Sequence, residues 1–262
     1  MDLYLPMRGD SGAPERIAAG RRQVIVHDCK QGEEEWLQLR LGIPTASEFD
    51  RIVTPAKLQL AAASKAYKHL KLAEWMYGAT LETYDVGAHG WGARGKELEP
   101  EAVRYYEMER ECETAAVGLV TTDDGMIGAS PDRLVGDDGL YEGKAPALET
   151  HVGYLLDPQS LVDEYRLQVQ GQLWVCQRAW CDMHSYSPGF PSVIVRVLPD
   201  ARVQAALAQH VPAFVETMLK CREVLTERYG ELRRERVRAE QKIEASRAAF
   251  DAFMNSPIGG VV

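Results

Sequence analysis

One stretch constrains this chain more than any other: Ser130-Pro131-Asp132, a short apolar run at Leu134-Val135, the turn Gly136-Asp137-Asp138-Gly139, and a return through Leu140-Tyr141-Glu142-Gly143-Lys144. Asp-Gly between two apolar runs is the strongest short-range signal for a β-hairpin. The hairpin brings Asp132 and Glu142 within reach of each other. Side chains alternate along a strand, so Glu142 and Lys144 share one face and Gly143 points away. Two carboxylates beside an ammonium attract a divalent cation. The bland alternative is a surface hairpin with an exposed Glu142–Lys144 ion pair, worth little, and the hairpin alone leaves both readings open.

Pro-Asp followed by Glu-X-Lys resembles the pattern of the PD-(D/E)XK nucleases. Carboxylate oxygens suit Mg²⁺, which otherwise keeps water or substrate phosphate. Such a cation polarises a phosphate and acidifies a bound water, and a neighbouring lysine orients that water or takes its proton. Phosphodiester hydrolysis is the chemistry these three residues would support.

The chain has 262 residues, 45% hydrophobic and 26% charged, enough for a large domain with a buried core. No apolar run reaches membrane-spanning length. The start, Met1 to Pro6, lacks a basic residue followed by an apolar stretch, so a secretory signal is not expected and a cytoplasmic location is. Five cysteines without Cys-X-X-Cys spacing and six scattered histidines argue against a disulfide framework, a zinc site or an iron–sulfur cluster. A net charge of −9 weighs against coating nucleic acid by bulk attraction but leaves room for a confined groove with a basic lining.

Along the chain, residues 1–23 read as an irregular arm, 24–229 as the main domain and 230–262 as a helical tail of interleaved Arg and Glu, expected to be mobile or intermolecular. A first strand is expected at Val24-Ile25-Val26 and a short helix within Gln31–Gly42. A second helix, Glu48 to Val53, would be capped by Thr45 or Ser47. With Arg40 across the turn, a hydroxyl and a guanidinium beside a helix start form a phosphate cradle; the plain alternative is a cap and a surface arginine. Ser64 to Tyr77 reads as a helix stopped by Gly78. Gly95-Lys96 is followed by Glu97 rather than Ser or Thr, which excludes a phosphate-binding loop of the NTPases. Pro100 suits the first turn of another helix, with Glu97, Glu99 and Glu101 at its positive dipole end. Ala115 to Thr122 reads as one strand, Met126-Ile127 as the start of the next, and Leu161 to Trp180 as helix, with Gln168 and Gln172 on one face, ordinarily a solvated one. Pro191 to Val197 is a late strand and Asp200 to Tyr229 a long helix that Pro212 could kink.

Taken in order, Glu35-Trp36, Leu39-Arg40-Leu41-Gly42, Thr45-Ala46-Ser47-Glu48, Gly95-Lys96 with Glu99, the Asp132 and Glu142-Gly143-Lys144 motif and Gln168-Val169-Gln170 resemble the phage lambda exonuclease family, the YqaJ-type viral recombination nucleases. The resemblance covers residues 24 to about 229. It implies an α/β fold, a central mixed β-sheet flanked by helices with a restriction-endonuclease-like core. It implies that Asp132, Glu142 and the Gly143 carbonyl hold Mg²⁺, with Mn²⁺ able to substitute, that Lys144 serves the attacking water, and that Glu99 contributes toward a second ion. Arg40, Ser47, Ser130 and Gln168 match positions that grip a 5′-phosphate. The implied activity is 5′-to-3′ degradation of one strand of linear double-stranded DNA by a toroidal homotrimer of phage or prophage origin, which passes the 3′ strand to a single-strand annealing protein. Two other readings are a Cas4-like or RecB-like nuclease of other polarity, both implying an iron–sulfur cysteine set that this chain lacks, and a non-catalytic DNA-end clamp on the same fold. Gly143 departs from the large apolar residue common in the family at that position, and a looser strand with unimpaired activity is expected.

Overall fold

The computed structural model describes residues 23–81 and 91–254, the backbone alone for 91–94, 96 and 231–254. The arm over 1–22, the glycines at 87 and 90 and the end of the tail lie outside the described residues. Two sheets are present among the described residues. A three-stranded antiparallel sheet joins β1 (Val24–His27), β3 (Leu119–Thr122) and β4 (Gly128–Ala129) in the order β1-β3-β4. The larger, mixed sheet has the order β2-β5-β6-β7-β8, from Thr114–Ala116, Arg133–Val135, Gly139–Lys144, Trp180–Ser185 and Val193–Val197.

The hairpin forms as its turn chemistry dictates. Gly136 adopts φ +51°, a left-handed conformation that costs glycine little, and β5 pairs antiparallel with β6, Arg133 against Tyr141 and Val135 against Gly139. β6 is the middle strand of the sheet and pairs parallel with β7. A parallel pair requires a crossover, here supplied by the helices α4 (Leu148–Leu156), α5 (Pro158–Glu164) and α6 (Arg166–Cys176).

Several expected boundaries move. The segment 115–122 is not one strand but two, β2 and β3, which belong to different sheets. The helix expected over Leu161 to Trp180 breaks at Tyr165 and ends at Cys176, and Trp180 opens a strand. Residues 46–51 form a 3-10 helix whose N-cap, Thr45, makes no side-chain capping bond. Pro100 sits inside α3 (Trp91–Arg110) rather than in its first turn, so Glu97, Glu99 and Glu101 are remote from the dipole end. The last helix, α7 (Ala201–Met254), runs through Pro212 and past residue 229 without interruption. The helices α1 (Glu34–Leu39) and α2 (Ser64–Tyr77) fall where expected, and Gly78 ends α2 at φ +84°.

The main core gathers Phe49, Leu140, Leu161, Leu173, Met183 and Met218, all nearly or fully buried between the sheet and helices α6 and α7. Close approach is achieved at Gly171 in α6, where a Cβ would stand 2.6 Å from the Phe49 ring. Only glycine lets the 46–51 turn lie against α6, and that contact carries the segment around Arg40 and Ser47 toward the end of the sheet.

Candidate active site

Extending the β5–β6 register by one residue sets Asp132 opposite Glu142. Asp132 Oδ2 accepts a 2.7 Å hydrogen bond from the Gly143 amide, which pins the carboxylate to the central strand. Glu142 and Lys144 project together from the face of β6 opposite Tyr141 and Gly143, the face that Asp132 shares, Nζ to Oε1 2.8 Å. This ion pair is not on the surface: the Glu142 side chain is 4% exposed.

Burial of an ion pair is costly unless its remaining hydrogen-bonding capacity is filled. Here α6 fills it. Gln168 donates to Glu142 Oε1 and Gln172 donates to Oε2 at 2.8 Å, while Gln168 Oε1 accepts from Lys144 at 3.4 Å. The two amides are four residues apart on one helical face, as expected, but the face is turned inward, and Gln172 is buried. Tyr165, where α5 gives way to α6, lies under the ammonium, with its ring centroid 4.3 Å from Nζ.

Burial, and next the charge of Glu142, push the Asp132 carboxyl well above the usual carboxylate range. Burial alone would lower Lys144, but the Glu142 and Asp132 carboxylates outweigh it and hold the ammonium above the ordinary lysine value. Glu99 adds further negative charge near Asp132 and pairs with Arg133 at 3.6 Å. The donor set is therefore hard oxygen with more negative than positive charge close to Asp132, which fits Mg²⁺. Among the described residues no three His, Cys, Asp or Glu side chains gather in metal-holding geometry.

The basic residue of the turn is also placed inside. Arg40 is buried, donates to Ser130 Oγ at 3.3 Å and to Thr45 Oγ1 at 3.2 Å, and lies 4.2 Å over the Trp36 ring. Thr45 Oγ1 in turn lies 3.4 Å from Ser47 Oγ, and Trp36 Nε1 donates to Ser130 Oγ at 3.0 Å. Arg40, Ser47 and Ser130 thus belong to one cluster, joined to the carboxylates through Pro131. Gln168 is placed at the Glu142–Lys144 end instead. A buried charge network backs the turn: Lys71 Nζ lies 3.2 Å from both Glu48 Oε2 and Glu74 Oε2, and Glu74 accepts from the Gly42 amide. Sequence reasoning missed Gln172, Lys71 and Glu74 as members of the site's surroundings; the i, i+4 spacing of the two glutamines was the available signal.

The expectation of a looser strand at Gly143 is replaced by a different arrangement. A Cβ there would lie 2.9 Å from the Tyr141 hydroxyl, which is held by His184 Nδ1 at 3.0 Å. Tyr141 fills the space that a side chain at 143 would take.

The YqaJ-like viral recombinase domain matches residues 35–179, more than half of the chain and the whole stretch from Trp36 to Gln172 that builds the site. The chain belongs to that family. Among solved structures, the alkaline exonuclease LHK-Exo of Laribacter hongkongensis superposes on this YqaJ-like chain with TM-score 0.65 at 30% identity, over 76% of this chain and 100% of that one. LHK-Exo in complex with dAMP gives the same values. A phage related exonuclease of Haemophilus somnus 129PT shares the fold at TM-score 0.54 and 14% identity, over 70% of this chain and 96% of that one. No curated protein matches. Among the described residues of the YqaJ-like chain, no helix is long and apolar enough to cross a membrane.

Proposed function

We propose that this YqaJ-like protein is a Mg²⁺-dependent 5′-to-3′ exonuclease that degrades one strand of linear double-stranded DNA from a 5′-phosphorylated end. The observation that carries the reading is the tripeptide Ser130-Pro131-Asp132, which ties the Arg40 cluster to the carboxylate pair. One end of the tripeptide supports binding of a terminal phosphate and the other supports hydrolysis of the next.

Asp132, Glu142 and the Gly143 carbonyl would hold Mg²⁺, with Glu99 serving a second ion and Mn²⁺ an acceptable substitute; the cation would supply charge stabilisation at the scissile phosphate and an acidified water. The chain's own groups do the rest. Lys144 donates to and orients the attacking water oxygen, and Gln168 and Gln172 keep Glu142 from rotating. Water attacks phosphorus and releases a proton to solvent, the bond to the 3′-oxygen of the terminal nucleotide breaks, and that oxygen leaves as a hydroxyl after taking a proton from solvent. The shortened strand again begins with a 5′-phosphate, the group that Arg40, Ser47 and Ser130 are suited to hold. Repetition from the same end follows.

Within the same reading the catalytic domain spans 24–229, the enzyme works in the cytoplasm as a ring-shaped homotrimer, and its 3′ single strands go to an annealing protein for phage-type recombination. The test is digestion of linear duplex bearing 5′-phosphate or 5′-hydroxyl ends, with and without Mg²⁺. Mononucleotides released from the 5′ end only with Mg²⁺, and faster from phosphorylated ends, are expected. Near-normal hydrolysis by Asp132→Ala, or release from the 3′ end, overturns the reading.

A further inference from the structure

The helix expected over Leu161 to Trp180 breaks at Tyr165, although neither proline nor glycine lies between Leu161 and Val169. Tyr165 leaves the helical range at φ −104° and ψ 17°. Contacts on either side hold the break: the Tyr154 hydroxyl donates to Glu164 Oε2 at 2.6 Å, and Arg166 Nη2 donates to Asp200 Oδ2 at 2.7 Å. The turn from α5 into α6 thereby presents Tyr165, Gln168 and Gln172, spaced three and four apart, to the strand β6. The two amides reach Glu142 and Lys144 by hydrogen bonds. The ring meets the lysine charge alone.

An ammonium has three N–H donors. Lys144 gives one to Glu142 Oε1 at 2.8 Å and one to Gln168 Oε1 at 3.4 Å. Glu142 Oε1 also accepts from Gln168, and in the nuclease reading Glu142 is a metal ligand as well, so the acceptor that fixes Lys144 is shared with both. A compact charge on a flexible stem then needs an anchor of another kind. The Tyr165 ring centroid lies 4.3 Å from Nζ. An aromatic face attracts a cation through its quadrupole, with no acceptor atom, and does so more strongly where water is excluded. Here it is largely excluded: the Lys144 side chain is 18% exposed, and Tyr165 packs against the main core. The ring therefore fixes where the ammonium sits and leaves an N–H for the water.

We infer that Tyr165 is a positioning residue for the hydrolysis: its ring holds the Lys144 ammonium at the attacking water as Glu142 takes up its other role. The inference rests on the nuclease reading and adds to it what keeps Lys144 in place. It concerns the ring, not the hydroxyl, and it acts only through Lys144.

Those two restrictions set the experiment, digestion of linear 5′-phosphorylated duplex in Mg²⁺ by the full-length chain. Tyr165→Leu should lower kcat by about tenfold, the scale of a desolvated cation–π contact, with KM within about twofold. Tyr165→Phe, which keeps the ring, should recover the rate to within about threefold. In a Lys144→Ala background, Tyr165→Leu should cause no further loss, whereas damage to the packing of α5 and α6 would slow both backgrounds alike. A second readout needs neither metal nor activity. In the NMR spectrum of metal-free protein with isotope-labelled lysine, the Lys144 ε-methylene resonance, assigned by its absence in Lys144→Arg, should be displaced by the ring current in wild type and Tyr165→Phe. It should return to the position of the other lysines in Tyr165→Leu. An undisplaced resonance in wild type overturns the inference whether or not Tyr165→Leu folds. So does equal slowing of both backgrounds, or a Tyr165→Phe enzyme as slow as Tyr165→Leu. Wild-type protein that digests no DNA fails the nuclease reading and this inference with it; the other outcomes, with an active wild type, fail the inference alone.

Discussion

The Tyr141 hydroxyl stands 2.9 Å from the point where a Cβ on Gly143 would lie, and it stays there because it is bound to His184. The strand that carries Glu142 and Lys144 on one face is thus fixed from the other face by a buried tyrosine and histidine. The glycine between the two catalytic candidates is a space requirement of that anchor.

Gly143→Val should therefore destabilise the fold by about 1–3 kcal/mol, the usual range for overpacking. Tyr141→Phe alone should also destabilise, because His184 Nδ1 loses its partner, at a cost of about 1–3 kcal/mol. The double variant should be less damaged than the sum, since removing the hydroxyl clears the clash. Urea unfolding of the four proteins gives the coupling; additivity to within about 0.5 kcal/mol would show that the two residues do not compete for the space.

Lys144→Ala should lower turnover on linear duplex by at least about a hundredfold, the range for losing a preorganised hydrogen-bond donor at the reacting centre. Affinity for DNA measured in Ca²⁺ should change far less. Gln172→Leu probes the same centre through Glu142, whose Oε2 it holds at 2.8 Å; its effect should fall on the catalytic rate more than on DNA affinity. A Gln172→Leu enzyme with wild-type rate would mean that Glu142 is held adequately by Gln168 and Lys144.

Arg40→Ala should slow digestion of 5′-phosphorylated duplex strongly and of 5′-hydroxyl duplex weakly, removing the preference between them. Arg40→Lys should recover little, because a lysine cannot reproduce the fork that reaches Ser130 and Thr45 together. Both substrates must be compared at one salt concentration, since phosphate contacts are screened. Equal slowing of the two would reassign Arg40 to general backbone binding or to structure.

His184 predicts a pH dependence of stability. Burial, then the charges of His151 and Arg110, push its imidazole down to about 3. The unfolded chain, at about 6.5, therefore binds a proton that the folded chain refuses. The contribution of a neutral His184 is intact above the unfolded value and is lost as pH falls below it, by about 1.4 kcal/mol per pH unit. Urea midpoints between pH 7.5 and 5 should fall less steeply in His184→Gln than in the parent, whatever the variant's absolute stability. Parallel slopes would show that His184 is not held neutral.

What the sequence determined by itself was local. The turn 136–139, the hairpin strands, the stop of α2 at Gly78 and the pairing of Asp132 with Glu142 rest on glycine conformation and on strand alternation within a dozen residues. The motif order that links Arg40, Asp132, Glu142 and Gln168 was legible only through the resemblance to the lambda exonuclease family. Tertiary structure decided what is buried. The strand Trp180–Ser185 carries Asp182 and His184, polar residues that disguise a core strand, and it is tolerated there because Tyr106 and Arg196 satisfy Asp182 while Tyr141 pairs with His184 Nδ1. Gln172 reads as a solvated helix amide until α6 lies over Glu142, and Arg40 as a surface arginine until Trp36, Ser130 and Thr45 enclose it. The cost or benefit of burying a polar group depends on a partner brought by another part of the fold, and no local pattern encodes that partner.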